Sequence, residues 1–452
     1  MRIVRLIAFG AFLLTLAVPL WAQNAGRKPN IILIIADDMG YGDPGCYGQK
    51  QIKTPNIDKL AAEGLKFTQF YAGDTVCAPS RCALITGLTT GHCFVRGNAK
   101  VDLRPQDVTV AEVLKKAGYT TALVGKWGLG AEGSTGMPTK KGFDFFYGFI
   151  DQSMAHNYYP SFLVKNEERI KLRNVVPNEG RYGQGVATER HDYAEALMQD
   201  EILKFIDANK DKPFFMDLSY TLPHANNEAH LVEVPDFGPY KNTDWPEPQK
   251  AYAAACTLLD DYIGQVVAKV KALNLENDTL ILFASDNGTH QEGGNSKDFF
   301  NSSGPLRGMK RDMYEGGIRV PLIARWPGKI AAGKTTDAVF AFWDFMPTFA
   351  ELAGTTPPAN IDGISFLPTL LGKTQERQHE YLYWEFHEGG FSQAIRAGDW
   401  KIIRSRRGVE LFNLKDDLGE TKDLAQQNPE VVARLTRLFD QARTDSAEFP
   451  VQ

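Results

Sequence analysis

Residues Asn30–Asp38 read NIILIIADD, a near-continuous apolar run that ends in two adjacent aspartates. A strand that alternates apolar and polar residues has one face in water, whereas a run like this one suits a strand buried on both faces. Three later runs have the same character: Thr120–Gly125 (TTALVG), Pro213–Leu218 (PFFMDL) and Thr279–Ala284 (TLILFA). Helix-period segments separate them, at Asn56–Glu63, Val110–Ala117, Tyr193–Ala208 and Gln249–Leu273. Strands alternating with helices over roughly the first 350 residues predict an α/β domain built on a large, doubly wound, mostly parallel sheet. At Gly354–Asn360 the composition shifts to GTTPPAN, which predicts a boundary. Beyond it, strand-like runs at Glu380–Phe386, Gln393–Ala397 and Trp400–Ile403 precede a helical period at Glu430–Ala442. The sequence therefore divides into a domain over 23–360 and a small antiparallel sheet with one C-terminal helix over 361–452.

Arg2 and Arg5 precede the apolar run Leu6–Leu20, and Ala22 follows as a small residue suited to cleavage. That pattern predicts a secretory signal peptide over 1–22, an exported chain (periplasmic or secreted) and no membrane span after processing. With 452 residues, 43% hydrophobic, the chain has material for a large core. Its net charge of −5 leaves no footprint for nucleic acid or an anionic membrane, so an anionic substrate needs a local group of cations. Five cysteines (Cys46, Cys77, Cys82, Cys93, Cys256) are too few for a disulfide scaffold, and their odd number leaves at least one unpaired or otherwise used.

Ligands of open α/β sheets bind beyond the carboxyl ends of the strands. There the sequence places Asp37 and Asp38, Lys126, His224, and Asp286 with Asn287. Adjacent carboxylates repel unless a cation neutralises them, and three carboxylates with an amide oxygen suit a hard ion, Ca²⁺ or Mg²⁺. Either pair alone could simply cap a following helix. In Cys77–Gly87 (CAPSRCALITG), Pro79 fits a helix start and Gly87 a helix end, which puts Cys77 at a helix N-terminus. The free amides there favour an anion, and Arg81 returns one turn later on the same face. From the residues alone, Cys77 is either an activated nucleophile or a buried structural thiol.

The pattern C-x-P-S-R-x-x-L-x-T-G resembles the signature of the formylglycine-dependent sulfatases, members of the alkaline-phosphatase-like superfamily. Further stretches are similar in the family's order: Ala36–Asp43, Thr54–Asp58, Gly125–Trp127, Ser285–Gly288, Gly308–Lys310, Tyr314–Pro321, Trp400–Lys401 and Leu411–Leu414. The resemblance implies that a maturase oxidises Cys77 to formylglycine. It implies calcium ligation by Asp37, Asp38, Asp286, Asn287 and residue 77. It further implies that Arg81 steadies the hydrated aldehyde, that Lys126 and Lys310 grip sulfate, and that His224 protonates the leaving oxygen. A gem-diol would attack sulfur with one hydroxyl and expel sulfate with the other.

Two positions depart from the family pattern. Gly128 stands where a histidine is usual, and Leu88 where many members carry arginine. His156 is a candidate substitute for the missing histidine, on the substrate side of the site. His92 and His290 read as structural or surface groups. Polar and aromatic residues at Gln152–Tyr159, with Trp245 in the loop Asp236–Pro248, suit a sulfated carbohydrate, with an aryl sulfate as the other expected substrate. For Trp245, loop packing is the plainer expectation. Two alternatives stay open: a formylglycine-dependent phosphoester or phosphonate hydrolase, and a non-catalytic homologue that binds sulfated glycans.

Overall fold

The computed structural model describes residues 27–451, so the signal peptide expected at 1–22 lies outside the described residues. β1 (Asn30–Ala36) is buried along its whole length. It lies between β7 (Phe214–Ser219) and β8 (Thr279–Ser285), both parallel to it. β3 (Thr120–Lys126) adds in parallel to the far side of β7, and β4 (Phe145–Phe149) to β3. Five neighbouring strands, in the order β8-β1-β7-β3-β4, thus run the same way and end on the same edge. Each is buried on both faces, which is why their sequences lack a polar alternation. Gly125 allows β3 to approach β7: a Cβ built there would lie 1.9 Å from the Ser219 carbonyl oxygen, at a φ of +120°.

Antiparallel strands finish the sheet at both sides. β2 (Leu65–Tyr71) pairs with β9 (Arg319–Arg325), which pairs with β8, and β5 (Phe162–Lys165) links β4 to β6 (Glu168–Lys171). The short strands β10 (Lys334–Thr336) and β11 (Phe340–Ala341) lie along β2 and complete an 11-stranded sheet. The helices α1 (Pro55–Ala62), α2 (Cys77–Thr86), α3 (Val110–Lys116), α4 (Ala194–Asn209) and α5 (Glu247–Ala272) cover it. The fold is therefore the predicted α/β one. β2, β4–β6 and β9–β11 are additions that periodicity did not announce.

A separate four-stranded antiparallel sheet follows, made of β12 (Leu382–Phe386), β13 (Ser392–Ala397), β14 (Trp400–Ser405) and β15 (Gly408–Asn413). Both of its faces are covered. Trp384, Ala394, Ile403 and Phe412 pack on Tyr71, Ile318 and Trp343 of the large sheet's surround. Tyr383, Ile395, Ile402 and Leu411 meet Leu435 and Phe439 of the helix Pro429–Gln441. The period-2 alternation of a strand places these residues in two layers.

Candidate active site

The registers bring four strand ends level. Ala36 of β1 pairs with Ser285 of β8, Ile35 pairs with Ser219 of β7, and Ser219 pairs with Gly125 of β3. Strands in a sheet are about 5 Å apart, so the residues that follow these ends are forced into one cluster. Asp37 and Asp38 leave β1 fully buried, and Asp38 adopts a left-handed φ of 69°. That turn is held by Asp37 N donating to the Leu222 carbonyl (3.1 Å) and Asp38 N donating to Asp286 Oδ1 (3.1 Å). Aspartate is among the few residues that take this conformation readily.

α2 starts at Cys77 and ends at Gly87, whose φ of 71° closes it as a left-handed cap. Every residue of α2 is buried. Cys77 Sγ lies 3.4 Å from Asp37 Oδ1. Burial, and then the Asp37 carboxylate, push the Cys77 thiol well above its ordinary value, so at neutral pH it is uncharged. Arg81, one turn on, lies over Asp286 (Nη2 to Oδ2 2.9 Å) and reaches Asp37 Oδ2 at 3.6 Å. Lys126 Nζ is 2.6 Å from Asp37 Oδ2, and Lys310 Nζ is 2.7 Å from Asp38 Oδ2. Burial acts to raise the Asp37 carboxyl, but Lys126, His224 and Arg81 overcome it and hold it well below the usual range.

His224 Nδ1 is 2.6 Å from the Ala225 carbonyl, an acceptor only, so Nδ1 carries the proton of the neutral ring. Nε2 then faces Lys310 Nζ at 3.1 Å and Asp38 Oδ2 at 3.4 Å. Burial and the Lys310 ammonium hold His224 well below its ordinary value. His156 stacks on it, with ring centroids 4.4 Å apart and planes 13° from parallel. Burial, then Lys126 and Lys310, push His156 down to about 4, so it enters the site as a neutral ring rather than as a cation. Tyr158 fixes this corner by donating to the Thr221 and His224 carbonyls.

The charge cluster opens into a cleft of about 300 Å³ bordered by Cys77, His224, Lys310 and His156, with Asn98, Lys100, Gln152 and Asn227 on its walls. Asp37, Asp38, Cys77 and His224 each present a ligand atom, all within 4.8 Å of one another. Asn287 donates to Asp38 Oδ1 (2.6 Å), while its own Oδ1 is buried without a partner. Carboxylates and one orphaned amide oxygen fit a hard cation. The buried acidic cluster can therefore hold a metal ion.

All ten residues singled out from the sequence meet here or border the cleft. Trp245 does not. It packs against Tyr240, Phe299 and Phe300, the loop packing expected of it in the first place, and contributes nothing to a sugar-binding wall. His290 is buried between the Pro223 carbonyl and Glu292 N, and with Asp38 and Glu292 it forms a second group of ligand atoms within 4.8 Å of one another. Glu292 was missed. It lies 3.5 Å from Lys310 and 3.6 Å from His224, and those two outweigh its burial and hold it at about 2. Nothing in its loop distinguished it from a surface acid. No disulfide joins the five cysteines, and among the described residues no helix is long and apolar enough to cross a membrane.

The sulfatase family profile matches residues 29–355, and that of the C-terminal region of N-sulphoglucosamine sulphohydrolase matches residues 309–445. Human N-acetylgalactosamine-6-sulfatase is 30% identical, over 95% of this chain and 83% of its own length. Human steryl-sulfatase is 32% identical, over 80% and 73% respectively. Among solved structures, Ps i-CgsB superposes with a TM-score of 0.78 at 31% identity, covering 92% of each chain. Its complex with k-i-k-neocarrahexaose superposes equally well, with a TM-score of 0.78 at 30% identity.

Proposed function

The chain belongs to the sulfatase family and has its alkaline-phosphatase-like fold, and on that premise we propose that it hydrolyses the sulfate ester of a carbohydrate with a formylglycine made from Cys77 and one Ca²⁺. The observation that carries this reading is the placement of Cys77. It begins a buried helix, faces Asp37, and is ringed by Arg81, Lys126 and Lys310 at the mouth of the cleft. As a thiol it is protonated and hemmed in by acids, a poor nucleophile as it stands. Matured to formylglycine by a maturase, residue 77 supplies an oxygen nucleophile that a thiol does not. A Ca²⁺ held by Asp37, Asp38, Asp286, Asn287 and residue 77 supplies Lewis acidity (Mg²⁺ fits the same donors).

The chain's own residues do the rest. Lys126 and Lys310, which border Asp37 and Asp38, would present their ammonium groups to the sulfate oxygens. Arg81 holds Asp286 in position, its Nε donating to Oδ2 (3.1 Å). The leaving oxygen receives its proton at the His224 Nε2–Lys310 Nζ pair, whose 3.1 Å separation lets one proton serve both. His156 excludes water from one face of His224 and fixes its plane.

For the substrate, the relatives point in two directions, one named for a sugar sulfate and one for steryl sulfate. The lining of the cleft favours the sugar. Asn98, Lys100, Asp102, Gln152 and Asn227 line it, a wall suited to hydroxyls rather than to a sterol ring system. The complex of Ps i-CgsB with an oligosaccharide supports the same choice. The reading includes export through the leader at 1–22, with a catalytic part over 23–360 and a small domain over 361–452. The test is an assay of matured protein on sulfated mono- and disaccharides, on aryl and steryl sulfates, and on a phosphate ester of the same phenol. Best efficiency on a sugar sulfate is the expected result. Best efficiency on a steryl sulfate or a phosphate ester contradicts the reading, as does glycan binding without turnover.

A further inference from the structure

Gln152 borders the cleft, and both polar atoms of its carboxamide, Nε2 and Oε1, are buried without a hydrogen-bond partner. The backbone explains why the side chain lies there. Gly128 has a φ of +74° and no side chain, and a Cβ built on it would come within 2.7 Å of Gln152 Cγ and Cδ and 2.9 Å of Nε2. The carboxamide thus fills the space that a side chain at 128 would occupy. The pairing of β3 with β4 continues past both strands, through Trp127 N to the Phe149 carbonyl (2.9 Å) and Gly128 N to the Ile150 carbonyl (3.2 Å). Gln152 is therefore set two residues beyond that pairing, beside the strand end that carries Lys126. Its neighbours are anchored: Asp151 by Lys100 (2.5 Å) and Ser153 N by Asp151 Oδ1 (2.8 Å).

A carboxamide needs both an acceptor for its N–H and a donor for its oxygen, and native proteins seldom leave either unmet when buried. The oxygens of a sulfate are acceptors only. They can take the Nε2 proton but offer nothing to Oε1, and the ammonium groups of Lys126 and Lys310 lie on Asp37 and Asp38 rather than on Oε1. A ligand that meets both demands presents an acceptor and a donor side by side. We propose that Gln152 is a specificity-determining residue that reads a hydroxyl or amide N–H on the carbon next to the sulfated one, accepting from it at Oε1 while Nε2 donates to the ester. The inference rests on the sulfatase reading above and narrows it to sulfate esters flanked by a donor. Aryl and steryl sulfates lack such a group.

The experiment uses matured full-length protein and four probes: the methyl galactosides sulfated at carbon 2, 3 or 4, and methyl N-acetylglucosaminide 3-sulfate. Each is paired with an analogue that lacks the donor beside the sulfated carbon. For the best probe, the wild-type protein should prefer the intact sugar by about tenfold or more, as expected for a site built around a hydrogen bond. Gln152→Met, close in volume, should erase most of that preference. Gln152→Glu, which keeps an acceptor, should retain it while losing efficiency on both members of the pair. Melting temperatures near that of the wild type establish that the variants fold. An equal loss on intact and analogue sugars in Gln152→Met overturns the role given to Gln152 and leaves the sulfatase reading standing. If wild-type protein turns over none of the sugars, nor a nitrophenyl sulfate, the functional reading itself falls and takes this inference with it.

Discussion

Among the described residues, two of the dense groups of buried charge are built differently. At the seam between the two sheets, Glu315 pairs with Lys401 (3.0 Å) and Arg319 (3.1 Å) and accepts from Tyr71 (2.7 Å). Lys401 also pairs with Glu420 (2.9 Å), whose other oxygen accepts from Glu315 N (2.7 Å). This cluster borders no cleft: Glu420 Oε1 makes no hydrogen bond but faces the Lys401 ammonium as an ion pair, and its residues join the sheets. The cluster beyond β1, β3, β7 and β8 is just as buried, yet it opens into a cleft and leaves Asn287 Oδ1, Glu292 Oε2 and the Gln152 amide without partners. Buried charge alone therefore does not mark a site. Incomplete pairing beside a cleft does, because those groups await something the chain lacks.

The contrast makes predictions that separate function from stability. The largest effect belongs to residue 77. Cys77→Ala should abolish turnover, a loss of about a thousandfold or more, since no other group near Asp37 replaces the nucleophile. Its melting temperature should stay within a few degrees of the wild type, as measured by calorimetry. Unfolding of this variant would make the open cluster as structural as the one at the seam.

Next is His224→Ala, which should cost about a hundredfold on a sugar sulfate and far less on nitrophenyl sulfate, because a nitrophenolate leaves without protonation. Equal losses on the two substrates would move His224 from the leaving group to binding.

The seam should respond in the opposite sense. Lys401→Met removes the cation between two buried acids and should cost about 3–5 kcal/mol in urea unfolding, the cost of leaving buried charge uncompensated. The kcat of the protein that remains folded should change less than threefold, roughly within 1 kcal/mol of barrier. A large fall in kcat without a loss of stability would couple the two clusters.

The smallest effect is a dependence on pH at the same seam. Burial acts to raise Glu385, but His387, Arg443 and Arg96 overcome it and hold it at about 2. A carboxyl depressed in the folded state contributes stability above its ordinary value and loses it as pH falls through the folded one. Up to about 3 kcal/mol should therefore disappear between pH ~4.5 and ~2, and Glu385→Gln should flatten that part of the curve. An unchanged slope in the variant would assign the acid sensitivity elsewhere.

What the sequence disclosed follows the same division. NIILIIA, TTALVG, PFFMDL and TLILFA announce central strands because burial on both faces leaves an uninterrupted apolar run, and each observed strand begins or ends within one residue of its run. β9 was hidden by Pro321, which lacks an N–H for the ladder. A register shift in β2 between Phe67 and Phe70 accommodates it. β2 itself has no clean alternation, with Thr68 and Gln69 both half-buried across that shift. In the site, Asp37, Lys126, His224 and Asp286 were legible because strand ends converge whatever the strand order. Gln152 and Glu292 come from loops, where position depends on the path of the chain and not on any local pattern. Trp245 shows the converse, an aromatic residue in a suggestive loop that is occupied by its own neighbours.

The central claim is that the open cluster is organised around a modified residue 77. Its most direct test is peptide mass spectrometry of residue 77 in protein co-expressed with a formylglycine-generating maturase, across preparations of differing specific activity. The account predicts an aldehyde in place of the thiol at residue 77, in a fraction that rises in proportion to activity. A fully active preparation in which residue 77 is entirely unmodified cysteine would contradict it.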